Sequence, residues 1–252
     1  MQIKQMFLTP NEYSRPQIPL KSVRKLVTHY TGDPGASALA ERNYFENLKN
    51  GGRKVSSHFI IGLAGEIIQC IPLNEWSYCS NQANAYSISI ECCISDAVCG
   101  KFTAATEQSL AELCAYLCNK FKLDPTNDII RHYDVTGKQC PLYWSPTKYQ
   151  PASVANARFE AFKNRVAYIM RCDEVDEPIN EALPKVPFKV QIIDDALNIR
   201  CKSGVANKAV GIIRGGGIYT IIEVEQVGAS MWGKLKSGAG WINISSKYAK
   251  II

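Results

Sequence analysis

Histidine is scarce in this chain: three residues in 252, His29, His58 and His132. Any chemistry that needs imidazole is confined to those positions. Long apolar runs are missing too. None approaches the ~20 residues that a bilayer-crossing helix requires, so membrane insertion is not expected. No continuous basic tract occurs, and the net charge of +6, from 29 Lys+Arg against 23 Asp+Glu, is modest. That balance suits a polyanionic surface and does not argue for nucleic acid. The opening stretch, Met1-Gln2-Ile3-Lys4-Gln5-Met6, lacks the apolar core of a secretory leader. The ten cysteines are irregularly spaced, and a chain this long needs no disulfide scaffold. These features read as synthesis in a reducing cytosol with mostly free thiols.

What is present divides into three parts. Residues 1–171 alternate β-prone and helical patterns and carry 19 basic against 14 acidic residues. Residues 172–187 are an acidic linker, with five acids against Lys185 and with Pro178, Pro184 and Pro187. Residues 188–252 carry nine basic against four acidic residues, and their short β runs alternate with glycine turns. The expected architecture is an α/β domain with a mixed central sheet flanked by helices, followed by a small all-β barrel.

Within the first part, residues 1–22 hold Pro10, Pro16 and Pro19 and read as an N-terminal arm, with Arg15 to Pro19 near a site. Lys25 to Tyr30 is a short strand ending in the turn Thr31-Gly32-Asp33-Pro34-Gly35. Ser37 caps a helix reaching Asn50, with Leu39, Phe45 and Leu48 apolar and Gly51-Gly52 stopping it. Ser56 to Leu63 and Glu66 to Pro72 form a hairpin about Ala64-Gly65. Tyr86 to Cys93 alternates, putting Ser87, Ser89 and Glu91 on one face and Ile88, Ile90 and Cys92 on the other. From Thr103 to Phe121, Leu110, Leu113, Cys114, Leu117 and Cys118 keep helical spacing. Cys114 and Cys118 are small core residues on that stripe rather than ligands. Asp128 to His132 is a further strand, and Val154 to Met170 a last helix.

The chemistry concentrates in Arg131-His132-Tyr133-Asp134-Val135-Thr136-Gly137-Lys138-Gln139-Cys140-Pro141. It offers one imidazole and, eight residues on, one thiol. His29 closes another β run and supplies a third donor. Two imidazoles and a thiolate suit zinc. They equally suit two buried, hydrogen-bonded histidines and a core cysteine, and spacing alone does not separate these. Lys138 beside Cys140 favours the metal, since an ammonium near a cation needs an anionic partner such as a reaction oxyanion. Glu91 is the proton handler such a site needs, or else a surface glutamate in an ion pair. His58 reads as a hydrogen-bonded structural histidine near the site. Asp134 either orients a ligand or belongs to a surface turn.

Five segments in order carry a resemblance: Val27-Thr28-His29-Tyr30-Thr31-Gly32, Ser56-Ser57-His58-Phe59, Gly65-Glu66-Ile67-Ile68-Gln69, Ser87-Ile88-Ser89-Ile90-Glu91, and Arg131 to Lys138 with Cys140-Pro141. Residues 22–171 resemble the zinc-dependent N-acetylmuramoyl-L-alanine amidases of type 2, whose fold is shared with peptidoglycan recognition proteins. They look most like those of Firmicutes, their phages and prophages. The resemblance implies zinc at His29, His132 and Cys140, Lys138 at the oxyanion, Glu91 as general acid/base, and peptidoglycan as substrate. Some phage members use a tyrosine just before the histidine matching His58; here that position is Ser57, which shifts the role to Glu91. One departure stands out. Where many members carry a Trp/Tyr-His-Ala-Gly segment, this chain reads Trp76-Ser77-Tyr78-Cys79-Ser80, with Cys79 at the groove-lining histidine's position.

Residues 188–252 resemble a bacterial SH3 domain through Leu197-Asn198-Ile199-Arg200, Gly216 to Ile221, Trp232-Gly233-Lys234-Leu235 and Gly240-Trp241-Ile242. This implies a wall-targeting module with Tyr219, Trp232 and Trp241 as groove or core residues; a spacer barrel is the alternative. The expected activity is hydrolysis of the muramoyl–L-alanine amide in the cell wall, in lysis or turnover, after release without a leader. A binding-only recognition protein is disfavoured by Cys140. A zinc peptidase is disfavoured by the lack of His-Glu-x-x-His.

Overall fold

Ile, Val and Leu runs that are apolar on both faces need cover on both sides, and the first part of this chain supplies it. The structure, a computed structural model, describes residues 1–173, 183–205, 207–228 and 230–252. It divides into two units, Met1–Arg171 and Cys172–Ile252, taken separately below. Most of the acidic 172–187 segment lies outside the described residues.

The first unit contains β1 (Ile3–Gln5), β2 (Lys25–Pro34), α1 (Ala38–Asn47), β3 (Phe59–Ile61), β4 (Ile67–Gln69) and β5 (Ser87–Ile94). After these come α2 (Ala104–Phe121), α3 (Pro125–Asp128), β6 (Ile129–Arg131), α4 (His132–Thr136) and α5 (Ala152–Asp173). The sheet order is β1-β4-β3-β5-β2-β6. Only the β3–β4 hairpin is antiparallel; the other neighbours run parallel, so the sheet is mixed. On one face Leu26, Phe59, Ile88 and Ile90 pack with Leu110, Leu113 and Leu117 of α2 and Phe159 and Phe162 of α5. Trp144 lies within this cluster, its ring 5.1 Å from Phe102 and 4.7 Å from Phe162. On the other face Ile60, Ile68 and Cys93 pack with Phe45 of α1 and with Leu8. Val27, His29, Ser89 and Glu91 share that second face by strand alternation.

Local signals account for the helix boundaries. Ser37 Oγ accepts from Ala40 N–H and Thr103 Oγ1 from Thr106 N–H, each satisfying a first-turn donor. After α1, a 3₁₀ turn over Leu48–Asn50 ends at Gly51, whose φ of 113° suits glycine. Cys114 and Cys118 are buried in the helical stripe, and both are free thiols. Among the described residues no helix is long and apolar enough to cross a membrane.

Four expectations need correcting. The N-terminal arm is an edge strand: β1 pairs in parallel with β4, Ile3 opposite Ile67, and Leu8 is buried. Three residues are too few to show alternation, and the prolines that follow conceal them. Strand β2 does not stop at Tyr30 but continues to Pro34 through a register shift, so His29 lies inside a strand rather than at its end. Leu39 faces water while Phe45 and Leu48 are buried, because the buried arc of α1 is narrow. The strand expected over Asp128 to His132 ends at Arg131, and His132 opens a helical turn, α4.

The second unit holds β7 (Phe188–Ile192), β8 (Ala196–Arg200), β9 (Ala209–Arg214), β10 (Ile218–Val227), β11 (Ser230–Leu235), β12 (Trp241–Asn243) and β13 (Ala249–Ile251). Every pairing is antiparallel, in the order β13-β7-β10-β11-β12-β8-β9. Val190, Ile192, Leu197, Ile213, Ile221, Leu235, Ile242 and Ile244 form its core. Trp232 is buried, while Tyr219 and Trp241 are half-buried.

Candidate metal centre

Three stretches far apart in sequence meet where β2, β5 and α4 adjoin. His29 stands on β2, directly opposite Glu91 of β5 in parallel register. His132 opens α4. Its backbone is fixed by Asp134, whose carboxylate accepts from Arg131 N–H at 2.8 Å and from the Arg131 guanidinium at 2.6 Å. Asp134 therefore caps the helix that carries His132 and is bonded to Arg131 rather than to the imidazole. Gly137, at φ 79°, ends α4 with its N–H on Tyr133 O. The chain then turns back, so that Tyr133 N–H donates to Cys140 O at 2.9 Å. Helix cap, left-handed glycine and return bond together bring positions 132 and 140 side by side.

The donor atoms of His29, His132 and Cys140 lie within 4.8 Å of one another, and all three residues are buried. Cys140 Sγ is 3.7 Å from His29 Nδ1. Tetrahedral zinc with Zn–N and Zn–S distances of ~2.05 and ~2.3 Å sets its nitrogen and sulfur donors ~3.6 Å apart. His132 Nδ1 is buried without a hydrogen-bond partner, which costs free energy unless something binds it. The residues thus fit a zinc ion in donor type, spacing and unmet bonding capacity. His29 Nε2 lies 3.0 Å from Ser80 Oγ. With Nδ1 facing an ion, Nε2 carries the ring proton and donates it to that hydroxyl, fixing the ring.

Burial sets the protonation states. It pushes His29 well below its usual range, aided by His132 and Lys138. His132 falls to about 4, through burial first and Lys138 second. Both imidazoles are then neutral and ready to ligate at neutral pH. Burial pushes the Cys140 thiol up to about 12, so a nearby cation is what would release its proton. Glu91 is raised to about 7, by burial first and then by the Glu41 carboxylate, while Lys138 and the Cys79 thiol pull it down. Its Oε2 is buried and unpartnered. Lys138 itself is exposed, at the rim of this cluster.

His58 is near but separate. Its Nε2 donates to Glu75 O at 2.9 Å and its Nδ1 accepts from Ser89 N–H at 3.1 Å. With both nitrogens engaged, it is a structural histidine. Glu75 is held in turn by Arg15 through two bonds of 2.8 and 2.9 Å, so the N-terminal segment braces this wall. Sequence reasoning missed Ser80 and Thr31, whose buried Oγ1 also lacks a partner. Ser80 ends the segment already marked by Cys79; nothing distinguishes Thr31 until β2 is seen to continue past it.

A family model described as N-acetylmuramoyl-L-alanine amidase matches residues 19–143. The chain is 32% identical over 285 residues to N-acetylmuramoyl-L-alanine amidase BlyA of Bacillus subtilis (strain 168), covering 97% of this chain and 72% of that protein. It is 41% identical over 155 residues to N-acetylmuramoyl-L-alanine amidase CwlL of Bacillus licheniformis, covering 55% of this chain and 41% of that one. Among solved structures, a mutant endolysin from Bacillus subtilis shares 25% identity at a TM-score of 0.53, covering 66% of this chain and 99% of its own.

Proposed function

Because the chain belongs to the N-acetylmuramoyl-L-alanine amidase family, we propose that this enzyme cleaves the amide between the muramic acid lactyl group and L-alanine in peptidoglycan, using zinc held by His29, His132 and Cys140. The observation that carries this reading is the buried His-His-Cys donor set with an unpartnered carboxylate oxygen on the neighbouring strand. Zinc, when bound, supplies a Lewis acid for the amide carbonyl and brings the pKa of a water down to about 7.

The remaining chemistry belongs to side chains. Glu91 carries the proton: Oε2 is free to accept it from the attacking water and to return it to the L-alanine nitrogen as that nitrogen leaves. A carboxyl held near 7 suits both halves of the transfer at neutral pH. The Lys138 ammonium opposes the negative charge that develops on the carbonyl oxygen, and its field already depresses both histidines. Ser80 keeps the His29 ring in one orientation.

Residues 1–171 are, in this reading, the catalytic domain, 172–187 a linker, and 188–252 an SH3-like module that binds the cell wall. Seven short antiparallel strands around an aliphatic core support the last assignment. Tethering would raise the enzyme's local concentration at its insoluble substrate.

Digestion of purified cell walls tests the proposal. New N-terminal L-alanine should appear without new reducing sugar, disappear on chelation and return with zinc. Reducing ends without new alanine termini would overturn it.

A further inference from the structure

Cys79 has no part in the reaction just described, yet it touches the group that carries the proton. Its thiol donates to Glu91 Oε1 at 3.6 Å. The donor atoms of His29, Cys79 and Glu91 lie within 4.8 Å of one another, the same limit that groups His29, His132 and Cys140. The corner carrying Cys79 is fixed: the N–H groups of Cys79 and Ser80 both donate to Asn84 Oδ1, at 3.2 and 2.7 Å. Glu91 Oε2 is buried with no partner. Imidazole, thiolate and carboxylate are the side chains that zinc and its neighbours accept.

We propose that His29, Cys79 and Glu91 form a second metal position that overlaps the first through His29. His29 Nε2 is engaged by Ser80, so the ring offers one nitrogen, and one lone pair serves one ion. A zinc-like divalent ion is therefore held in one of two mutually exclusive places. In the second, Cys79 gives its thiol proton to solvent, and its hydrogen bond to Glu91 is replaced by a shared ion. The second set brings two negative charges, a thiolate and a carboxylate, against one thiolate in the first, which favours a dication there. An ion in that place also removes Glu91 from proton transfer, so it is stored without being productive. The inference rests on the zinc reading in that His29 serves as a ligand in both positions.

Cobalt(II) separates the two, because sulfur ligation gives a near-ultraviolet charge-transfer band that imidazole and carboxylate do not. The full chain is compared with Cys140→Ser, Cys79→Ser and the double variant, and bound ions are counted by native mass spectrometry. Cys140→Ser is expected to bind one cobalt and keep a sulfur band; the double variant is expected to lose that band. A wild-type band that vanishes in Cys140→Ser alone overturns the second position and leaves the zinc reading standing. A band that persists in the double variant also overturns it. A wild type that binds no cobalt overturns both. If Cys140→Ser fails to fold, Cys140→Ala takes its place; its sulfur band must then be lost on adding Cys79→Ser, and a band that survives refutes the proposal.

Discussion

Acid should loosen the first unit through His58, and the size of the effect follows from its surroundings. The ring is fully buried, donates from Nε2 to Glu75 O and accepts at Nδ1 from Ser89 N–H. A second proton would set two donors against each other at Nδ1. Burial accordingly lowers its pKa to about 4 in the folded chain, against ~6.5 when unfolded. Because the folded value is the lower one, the unfolded chain binds more protons between the two. The stability His58 contributes is thus fully present above ~6.5 and is lost as pH falls toward ~4. At 1.36 kcal/mol per pKa unit the loss reaches about 2 kcal/mol between roughly pH 7.5 and pH 5, and about 3 kcal/mol once the folded site titrates. For a unit of this size, 2 kcal/mol is about 4–8 °C in Tm. The assay is urea unfolding of the metal-free chain at both pH values, read by pulsed hydrogen exchange on peptides from residues 59–94, so the second unit does not enter. His58→Gln, whose amide does not titrate, is the reference, and subtraction cancels His29, His132 and the carboxylates. Equal pH dependence in wild type and variant would refute the reasoning.

Glu91→Gln should lower kcat by ~10²–10⁴-fold while zinc stoichiometry stays unchanged; loss of the ion as well would make Glu91 a ligand of the productive position instead of its proton carrier. Ser80→Ala frees His29 Nε2 and should weaken zinc binding by ~10–100-fold in competition with a chelating dye; undiminished affinity would show that the hydroxyl does not orient the ring. Trp144→Ala opens a void among Phe102, Phe159 and Phe162 and should cost about 3–5 kcal/mol in denaturant unfolding. A cost under about 1 kcal/mol would mean the cluster closes over the gap.

The elements most legible in sequence were those that carry their own local cause. Ser37 and Thr103 cap helices, Gly51 stops one, and the stripe from Leu110 to Cys118 is a helix face whatever surrounds it. With only three histidines in the chain, the possible imidazole donors are few. What sequence does not contain is register. That Glu91 sits opposite His29 depends on parallel pairing of β2 with β5, strands separated by α1 and the β3–β4 hairpin, and no local pattern encodes that alignment. β1 was missed for the same reason, since three residues become a strand only because β4 offers an edge. The serines of β5 were equally misleading. Alternation marked a polar face, which normally means water, yet Ser87 and Ser89 are buried. Ser89 accepts or donates toward His58, Ser57 and Ser77, so the polar face is an interior network and not a solvated one.

Glu91 shares that face of β5 with Ser89, and its burial is met in another way. A lone buried charge is costly, and Glu91 responds by a raised pKa and by taking the Cys79 thiol as a hydrogen-bond partner. Histidine at position 79 would set an imidazole, often a cation at neutral pH, against that carboxylate; cysteine sets a neutral, soft donor there. Cysteine in place of histidine at position 79 thus leaves Glu91 closer to the protonated state in the ion-free site. It also places a second thiol within reach of His29.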